Sequence, residues 1–119
     1  MLLNISNHPF ERWDAAQQDL ANRDYASVED MPFPAIDPAA DAGEVAALAR
    51  RTADEVAALA PAAVHLMGET TFCFALGALL QARGIVCIAS TTVRDVVETA
   101  EGKISRFRFV RFRQYPVMF

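Results

Sequence analysis

Two polar turns that directly follow apolar runs carry the side chains of this sequence best suited to chemistry. The first, Ser6-Asn7-His8-Pro9, follows the apolar residues 2–5. A histidine in such a loop can exchange a proton near neutral pH, so His8 is a candidate general acid or base, with Ser6 and Asn7 as polar neighbours. The competing interpretation is a loop histidine that only bonds the backbone.

The second turn, Gly68-Glu69-Thr70-Thr71, leads into a helical pattern. A helix N-terminus offers free backbone N–H groups that suit a phosphate, and Thr70 and Thr71 add hydroxyl donors. Gly68 would let a ligand approach the backbone. Glu69 opposes a strongly anionic ligand unless it turns away or acts as an acid or base. A capped helix with no ligand explains the same residues.

The elements that must position these turns alternate between strand and helix patterns. Strands are predicted at 2–5, 27–31, 63–67 and 85–89. A first helix is predicted from Pro9 to Asn22, with an inner stripe of Trp13, Ala16 and Leu20. A second helix follows Asp41 and Glu44, which have the spacing of a capping box, and ends before Pro61. A third carries apolar residues at helical spacing from Phe72 and ends at Gly84.

The C-terminal part departs from this alternation. Ser90, Thr91 and Thr92 are predicted to close the fourth strand with a run of hydroxyls. Residues 104–113 alternate between apolar and polar side chains, with a slip at residues 109–110 that indicates a β-bulge. This pattern predicts an antiparallel β-hairpin with phenylalanines inward and arginines, including Arg106 and Arg108, outward. A short fourth helix over 93–100 is the alternative.

Taken together, the pattern predicts one α/β domain over residues 1–119. The expected fold is a Rossmann-like three-layer domain, with a mostly parallel sheet in the order 2-1-3-4 and a C-terminal antiparallel hairpin. Ligands of such sheets bind at the carboxyl ends of the strands, at the switch point, here between strands one and three. The turns at 6–8 and 68–71 should meet there, with the hydroxyls of 90–92 beside them. His65 lies mid-strand and is interpreted as a satisfied core side chain.

Composition and charge limit the possible ligands. The chain has 11 basic and 15 acidic residues, and five of the basic ones fall within residues 103–113, which contain no acid. The remaining negative field argues against long duplex nucleic acid, but a small anionic ligand held by this basic strip is still possible. Outward charge that protects a sheet edge is the other explanation of the strip. The glycine patterns of dinucleotide and P-loop sites are missing.

Further composition features bear on location and partners. Cys73 and Cys87 lack metal-ligand or redox spacing and are interpreted as buried thiols of a cytoplasmic protein. No apolar run reaches the length of a membrane span, and the first residues lack a signal-peptide pattern. The hydrophobic fraction of 53% is high for a globular protein, so some apolar surface is expected to meet a partner chain.

Three stretches together resemble a known family. They are Ile5-Ser6-Asn7-His8-Pro9 with Trp13 just after, a glycine turn feeding an apolar helix that ends Ala82-Arg83-Gly84, and the closing strand Arg106-Phe107-Arg108-Phe109-Val110-Arg111. This layout is similar to small CRISPR-associated proteins of type III systems, the stand-alone relatives of the CARF (CRISPR-associated Rossmann fold) domains.

The resemblance implies a homodimer whose two switch-point edges hold a cyclic oligoadenylate second messenger, with no metal or other cofactor. Some members cleave the ring by attack of a ribose 2′-hydroxyl on the adjacent phosphate, leaving a 2′,3′-cyclic phosphate. Carried over, His8, Ser6 and Asn7 would face the ribose and scissile phosphate. Gly68, Thr70 and Thr71 would hold a phosphate, and an arginine would neutralise charge.

Binding without cleavage is the other outcome within this family. Outside it, two hypotheses stay open: a small Rossmann-like enzyme acting on a mononucleotide or phosphorylated metabolite with His8 as base, and a non-catalytic protein-interaction module. Ligand preference separates them.

Overall fold

The computed structural model describes residues 1–118. Their elements, in chain order, are β1 (Leu2–Ser6), a 3-10 helix (Phe10–Arg12), α1 (Ala15–Tyr25), β2 (Val28–Asp30), α2 (Ala42–Leu59), β3 (Ala63–Met67), α3 (Thr70–Ala82), β4 (Val86–Thr99) and β5 (Gly102–Gln114). No helix within that range combines the length and the apolar character needed to cross a membrane.

The five strands form one sheet in the order β2-β1-β3-β4-β5. All neighbouring pairs are parallel except β4 and β5, which form the antiparallel C-terminal hairpin. The predicted fold class and strand order are therefore confirmed. The sheet order reverses between β1 and β3, so the switch point lies where the sequence places it.

Two cores cover the two faces of the sheet and make the domain three-layered. Leu3, Ile5, Val64, Leu66 and Cys87 pack against α2 and α3. Alternate positions of the same strands face the other way, because successive side chains of a strand point to opposite faces. There Leu2, Ala63 and Ile88 pack with Trp13 and with Ala21 of α1.

The helices on the larger core begin and end as their sequences indicate. Asp41 accepts a hydrogen bond from the backbone N–H of Glu44 at 2.9 Å and so caps α2. In α3, Phe72, Leu76 and Leu80 are fully buried. Gly84 follows with a φ of 74°, the left-handed conformation that a glycine adopts at low cost.

The first helix differs from its prediction. The chain forms a short 3-10 turn and then extended backbone at Trp13 and Asp14, and α1 starts only at Ala15. The indole N–H of Trp13 donates to the carbonyl of His8 at 2.9 Å, which holds this residue out of the helix. The predicted inner stripe was therefore wrong at Ala16, which is exposed, and Gln17 is buried instead. The second strand is also shorter than predicted.

The tail forms longer strands than the sequence predicted. β4 continues without a break through Ser90, Thr91 and Thr92 to Thr99, so the predicted end of strand four and the alternative helix over 93–100 are both wrong. The β-branched residues Thr91, Thr92 and Val93 suit a strand, which favours continuation of β4 over a turn there. Past the end of β3, residues 92–99 and 102–109 pair with each other around a two-residue turn; we call this hairpin the arm.

The predicted bulge is confirmed within the hairpin. Thr91 pairs with Arg111 and Thr92 pairs with Phe109, which leaves Val110 as the extra residue. Phe109 and Phe112 pack inward, as expected, but Phe107 is 66% exposed. The prediction of inward phenylalanines therefore fails where the arm leaves the body of the domain.

Candidate functional site

The switch point is built around two buried polar side chains on neighbouring strands. Asn4 of β1 pairs in register with His65 of β3, and they are only 1% and 2% exposed. His65 Nδ1 lies 2.9 Å from Asn4 Oδ1, and His65 Nε2 lies 2.5 Å from Ser90 Oγ. An amide oxygen can only accept, so Nδ1 carries the proton and Nε2 accepts from the Ser90 hydroxyl.

The amide of Asn4 also fixes the loop that follows β1. Its Nδ2 donates to Asp30 Oδ1 at 2.8 Å and to the carbonyl of His8 at 2.9 Å. Asp30 in turn accepts from the backbone N–H of Phe10 at 3.1 Å. The carbonyl of His8 therefore accepts hydrogen bonds from both Asn4 and Trp13. These bonds hold the loop against β1, β2 and the segment before α1.

The network also reaches α1. Gln17 Nε2 donates to Ser90 Oγ at 3.1 Å, so Ser90 receives one hydrogen bond and gives one to His65. Within residues 1–118, no buried side-chain nitrogen or oxygen lacks a partner. This closed set of bonds holds four strands and a helix in one register.

His65 is a structural residue, as the sequence indicated. Burial, and secondarily the nearby charge of His8, lowers its pKa to about 4. The imidazole is therefore neutral at physiological pH, as its hydrogen bonds require.

The two candidate catalytic residues differ in their freedom to act. Ser6 is buried; its hydroxyl lies 2.8 Å from Asn4 Oδ1 and 3.0 Å from the carbonyl of His8, and accepts from the N–H of His8 at 3.3 Å. The hydroxyl of Ser6 thus belongs to the loop. The side chain of His8 is partly exposed, and Asn7 is exposed.

A small cleft opens beside this loop, with a volume of about 320 Å³. Its walls come from the loop after β1 and from the chain that leaves β2, and they are Asn4, Ser6, Asn7, Pro9, Asp30, Met31, Pro32 and Phe33. The cleft therefore offers amide, hydroxyl and carboxylate groups, but no cation.

The start of α3 is occupied by a group of the chain itself. The carboxylate of Glu69 accepts from the backbone N–H groups of Thr71 at 3.0 Å and Phe72 at 2.8 Å, and from the Thr71 hydroxyl at 2.7 Å. The N–H of Phe72 is the main cause of a lowered Glu69 pKa, with smaller contributions from Thr71. A phosphate bound at these amides would have to displace this carboxylate. The capped-helix alternative thus describes the arrangement found.

Gly68 serves packing between aromatic rings. A Cβ atom at this position would lie 2.3 Å from Cε2 of Phe33, whose ring packs edge-on against Phe72 at 5.3 Å. The φ of Gly68 is not in the left-handed region, so the need is for room rather than for an unusual backbone. The space next to the Gly68 backbone, where the sequence predicted a ligand, is occupied by the ring of Phe33.

A larger groove, which the sequence did not predict, runs along α3; we call it the α3 groove. Its volume is about 720 Å³, and its walls come from residues 67–70, from α3 and from the C-terminal residues 115–118. Phe74 lies in it and is 80% exposed. One feature of the sequence could have indicated this groove: Phe74 is a large apolar residue that lies outside the buried stripe of α3.

The hydroxyls of β4 and the arginines of β5 are only partly brought to the switch point. Thr91 Oγ1 donates to the carbonyl of Arg111 at 3.1 Å, and Thr92 pairs with Phe109 at the base of the arm. Arg108 and Arg106 pair with residues three and five positions beyond Ser90, about 10 and 17 Å along the strand. The structure therefore does not bring these two arginines to the loop of His8.

All four β5 arginines nevertheless share one face of the sheet. Arg113 and Arg111 pair with Ala89 and Thr91, which alternate with the buried Cys87 on the α3 side. Because the bulge adds one residue, Arg108 and Arg106 stay on this same side. Of these, Arg108 Nε contacts Asp95 Oδ2 at 3.2 Å.

Thiols and carboxylates form no further centre in the described part of the chain. Burial raises the pKa of both Cys73 and Cys87 to about 11, so both are unreactive thiols at neutral pH. Among residues 1–118, no three His, Cys, Asp or Glu side chains are grouped as a metal ion would need.

The sheet order, the switch point and the two flanking cavities define a small Rossmann-like α/β protein with a C-terminal hairpin. The chain belongs to the uncharacterized protein MJ1673 family, whose sequence profile matches residues 1–113. No curated protein and no solved structure matches the chain. The family match covers β1 through the arginines of β5, and so includes every residue of the switch-point network.

Replacing Asn4 by alanine should lower the free energy of unfolding by about 3 kcal/mol, because it leaves His65 and Asp30 without partners inside the fold. Asn7→Ala, in the exposed loop a few residues away, is the matched control and should change stability by less than about 0.5 kcal/mol. Urea unfolding followed by circular dichroism measures both. Equal effects of the two variants would contradict the central role of Asn4.

The stability of the protein should fall as the pH drops from about 6.5 to about 4. In this window the unfolded chain protonates His65 and the folded chain does not, so protons favour unfolding by about 3 kcal/mol in total. His65→Gln should remove most of this dependence, whereas His8→Gln should keep most of it. Unfolding curves across this pH range test the assignment; an unchanged slope in His65→Gln would contradict it.

Gly68→Ala should destabilise the protein by about 1–3 kcal/mol, since the new methyl group meets the ring of Phe33. Gly77→Ala is the control: its Cβ would lie 3.8 Å from Leu66 Cδ2, an ordinary contact, and helix propensity should add about 0.5–1 kcal/mol. Thermal and urea unfolding measure both changes. A neutral Gly68→Ala would show that Phe33 moves freely away.

Proposed function

We propose that the protein binds a small anionic nucleotide, a cyclic oligoadenylate second messenger, at the carboxyl edge of its sheet. The observation that carries the proposal is the position of the α3 groove. Its lining includes Gly68 and Thr70, which follow β3 at the switch point, and it lies on the face of the sheet that carries the β5 arginines. An apolar surface and a row of cations therefore lie on the same side of one sheet edge.

The chemistry of the two parts suits the two parts of a nucleotide. Phe74 presents an exposed ring on which an adenine can stack, and stacking on an aromatic side chain contributes about 1–3 kcal/mol per base. Arg111 is exposed and pairs with Thr91, three residues beyond the last β3–β4 pair. Its Nε donates to the carbonyl of Phe112 at 3.0 Å, which leaves the terminal guanidinium nitrogens for a bridging phosphate. The phosphate contact would then lie on β5 rather than at the start of α3, where the carboxylate of Glu69 occupies the backbone N–H groups.

Binding is better supported than cleavage. The hydroxyl of Ser6 is engaged within the loop, and neutral His65 is buried, so neither supports proton transfer to a ligand. Cleavage by attack of a 2′-hydroxyl would depend on His8 alone as the base. We therefore assign the protein to sensing or sequestering the messenger in the cytoplasm, and keep ring cleavage as an outcome to be measured.

Thermal shift titrations with cyclic tri-, tetra- and hexa-adenylate test the proposal. A ligand at 100 times its dissociation constant should add about 2.7 kcal/mol, or about 10 °C in melting temperature. Phe74→Ala and Arg111→Gln should each weaken binding about tenfold or more. Phe107→Ala, an exposed ring on the arm, and Arg50→Gln, an exposed cation on α2, are the matched controls and should bind as wild type.

Chromatography of each mixture after incubation separates the remaining possibilities. Intact ligand supports binding alone, and linear products that disappear in His8→Ala support cleavage. A shift with AMP or ATP but with no ring would replace the proposal by the mononucleotide enzyme. No shift with any nucleotide would overturn nucleotide binding and leave the protein-interaction module.

A further inference from the structure

The arm has a free backbone edge. β3 pairs with β4 only as far as Ile88, so residues 92–99 of β4 are hydrogen-bonded on the β5 side alone. Side chains on both faces of the arm are exposed, including Val93, Val96, Val97, Ile104 and Phe107. An isolated two-stranded ribbon is marginally stable in water. Beyond the buried Phe109 at its base, the arm therefore offers an exposed edge and two exposed faces that a partner could cover.

The turn geometry fixes which backbone groups point outward. The two-residue turn closes on the pair Thr99 and Gly102, and in antiparallel strands hydrogen-bonded and non-hydrogen-bonded pairs alternate from there. Val97, Asp95 and Val93 therefore bond to β5. The N–H and C=O groups of Arg94, Val96 and Glu98 point away from it, and form a short ladder open to another strand.

The β4 edge is complementary to itself. If two β4 strands pair antiparallel about a two-fold axis at Val96, Arg94 lies opposite Glu98 of the second copy, twice by symmetry, and the two Val96 residues face each other. Opposite charges in such cross-strand positions are stabilising, and these pairs would add to the contacts that Glu98 makes with Lys103 and that Arg94 makes with Ser105 within each arm. A shift of the axis by one residue to Asp95 would place two aspartates opposite each other, and a shift to Val97 would lose both Arg94–Glu98 pairs, so the charges favour the axis at Val96.

The β5 edge of the arm disfavours pairing with a second β5 edge. β5 presents Lys103, Arg106, Arg108 and Arg111 without an acidic residue among them, so two β5 edges side by side would oppose cations to cations. Charge therefore directs association to β4.

We propose that the arms of two copies pair through β4 into a four-stranded antiparallel ribbon in the order β5-β4-β4-β5, and so form a two-fold dimer. Because the arm leaves the body at the carboxyl ends of the parallel strands, the two carboxyl edges then face each other across the ribbon. This assembly stands independently of the ligand proposed above.

Light scattering on a sizing column should give twice the 13.0 kDa mass of one chain. Glu98→Arg and Arg94→Glu each create like-charged pairs and should weaken dimerisation roughly tenfold. The double variant Arg94→Glu/Glu98→Arg restores opposite charges and should restore the dimer. Arg106→Glu, on the same arm but on the β5 edge, is the control and should remain dimeric. Circular dichroism confirms that each variant is folded.

A cysteine pair tests the register. Hydrogen-bonded antiparallel neighbours have Cα atoms about 5.5 Å apart, within the reach of a disulfide. Val96→Cys should therefore cross-link to a dimer under mild oxidation, while the comparably exposed Ile104→Cys and the wild-type chain should not. A monomeric wild type, a dimer unaffected by Glu98→Arg, or cross-linking at 104 rather than 96 would each overturn the proposal, whatever the nucleotide titrations give.

Discussion

The arrangement of the sheet depends on one requirement: two polar side chains in its central strands must be fully hydrogen-bonded. Asn4 and His65 sit where an all-apolar pair would pack well, and leaving either unpaired would cost more than the bond itself provides. Their other partners are Ser6, His8, Asp30 and Ser90, and all of these must lie within hydrogen-bonding distance in the same structure. One hydrogen-bond network therefore fixes the register of β1 against β3, the loop at His8 and the position of α1 on the sheet.

Two positions at the same edge are filled by the protein's own groups. Glu69 takes the place of an anion at the start of α3, and the ring of Phe33 covers Gly68. In most open α/β sheets these two positions are the ones left for a ligand. Here the two cavities lie beside these positions, one along α3 and one next to the loop after β1.

Local pattern was enough to predict the elements whose signals are local. The strand order, the cap at Asp41, the end of α3 at Gly84 and the bulge near Val110 all follow from periodicity and a few special residues. The polar network could not be predicted, because it depends on which residues of different strands come into register. The break before α1 depends on a tertiary bond of Trp13. The α3 groove depends on where the last residues pass, which no pattern indicates.

The single extra residue at Val110 separates the hairpin into two parts with independent side-chain parity. On the C-terminal side of the bulge, Phe112 and Tyr115 pack β5 on the body; on the other side Phe109 is still buried and bonded to Asp14, and beyond Phe109 the two strands of the arm pair with each other. A bulge of this kind can absorb a gain or loss of one residue by moving along the ladder. Related chains with arms of different length can therefore share one body, and the arm is the part of this fold in which insertions and deletions should accumulate without disturbing the sheet.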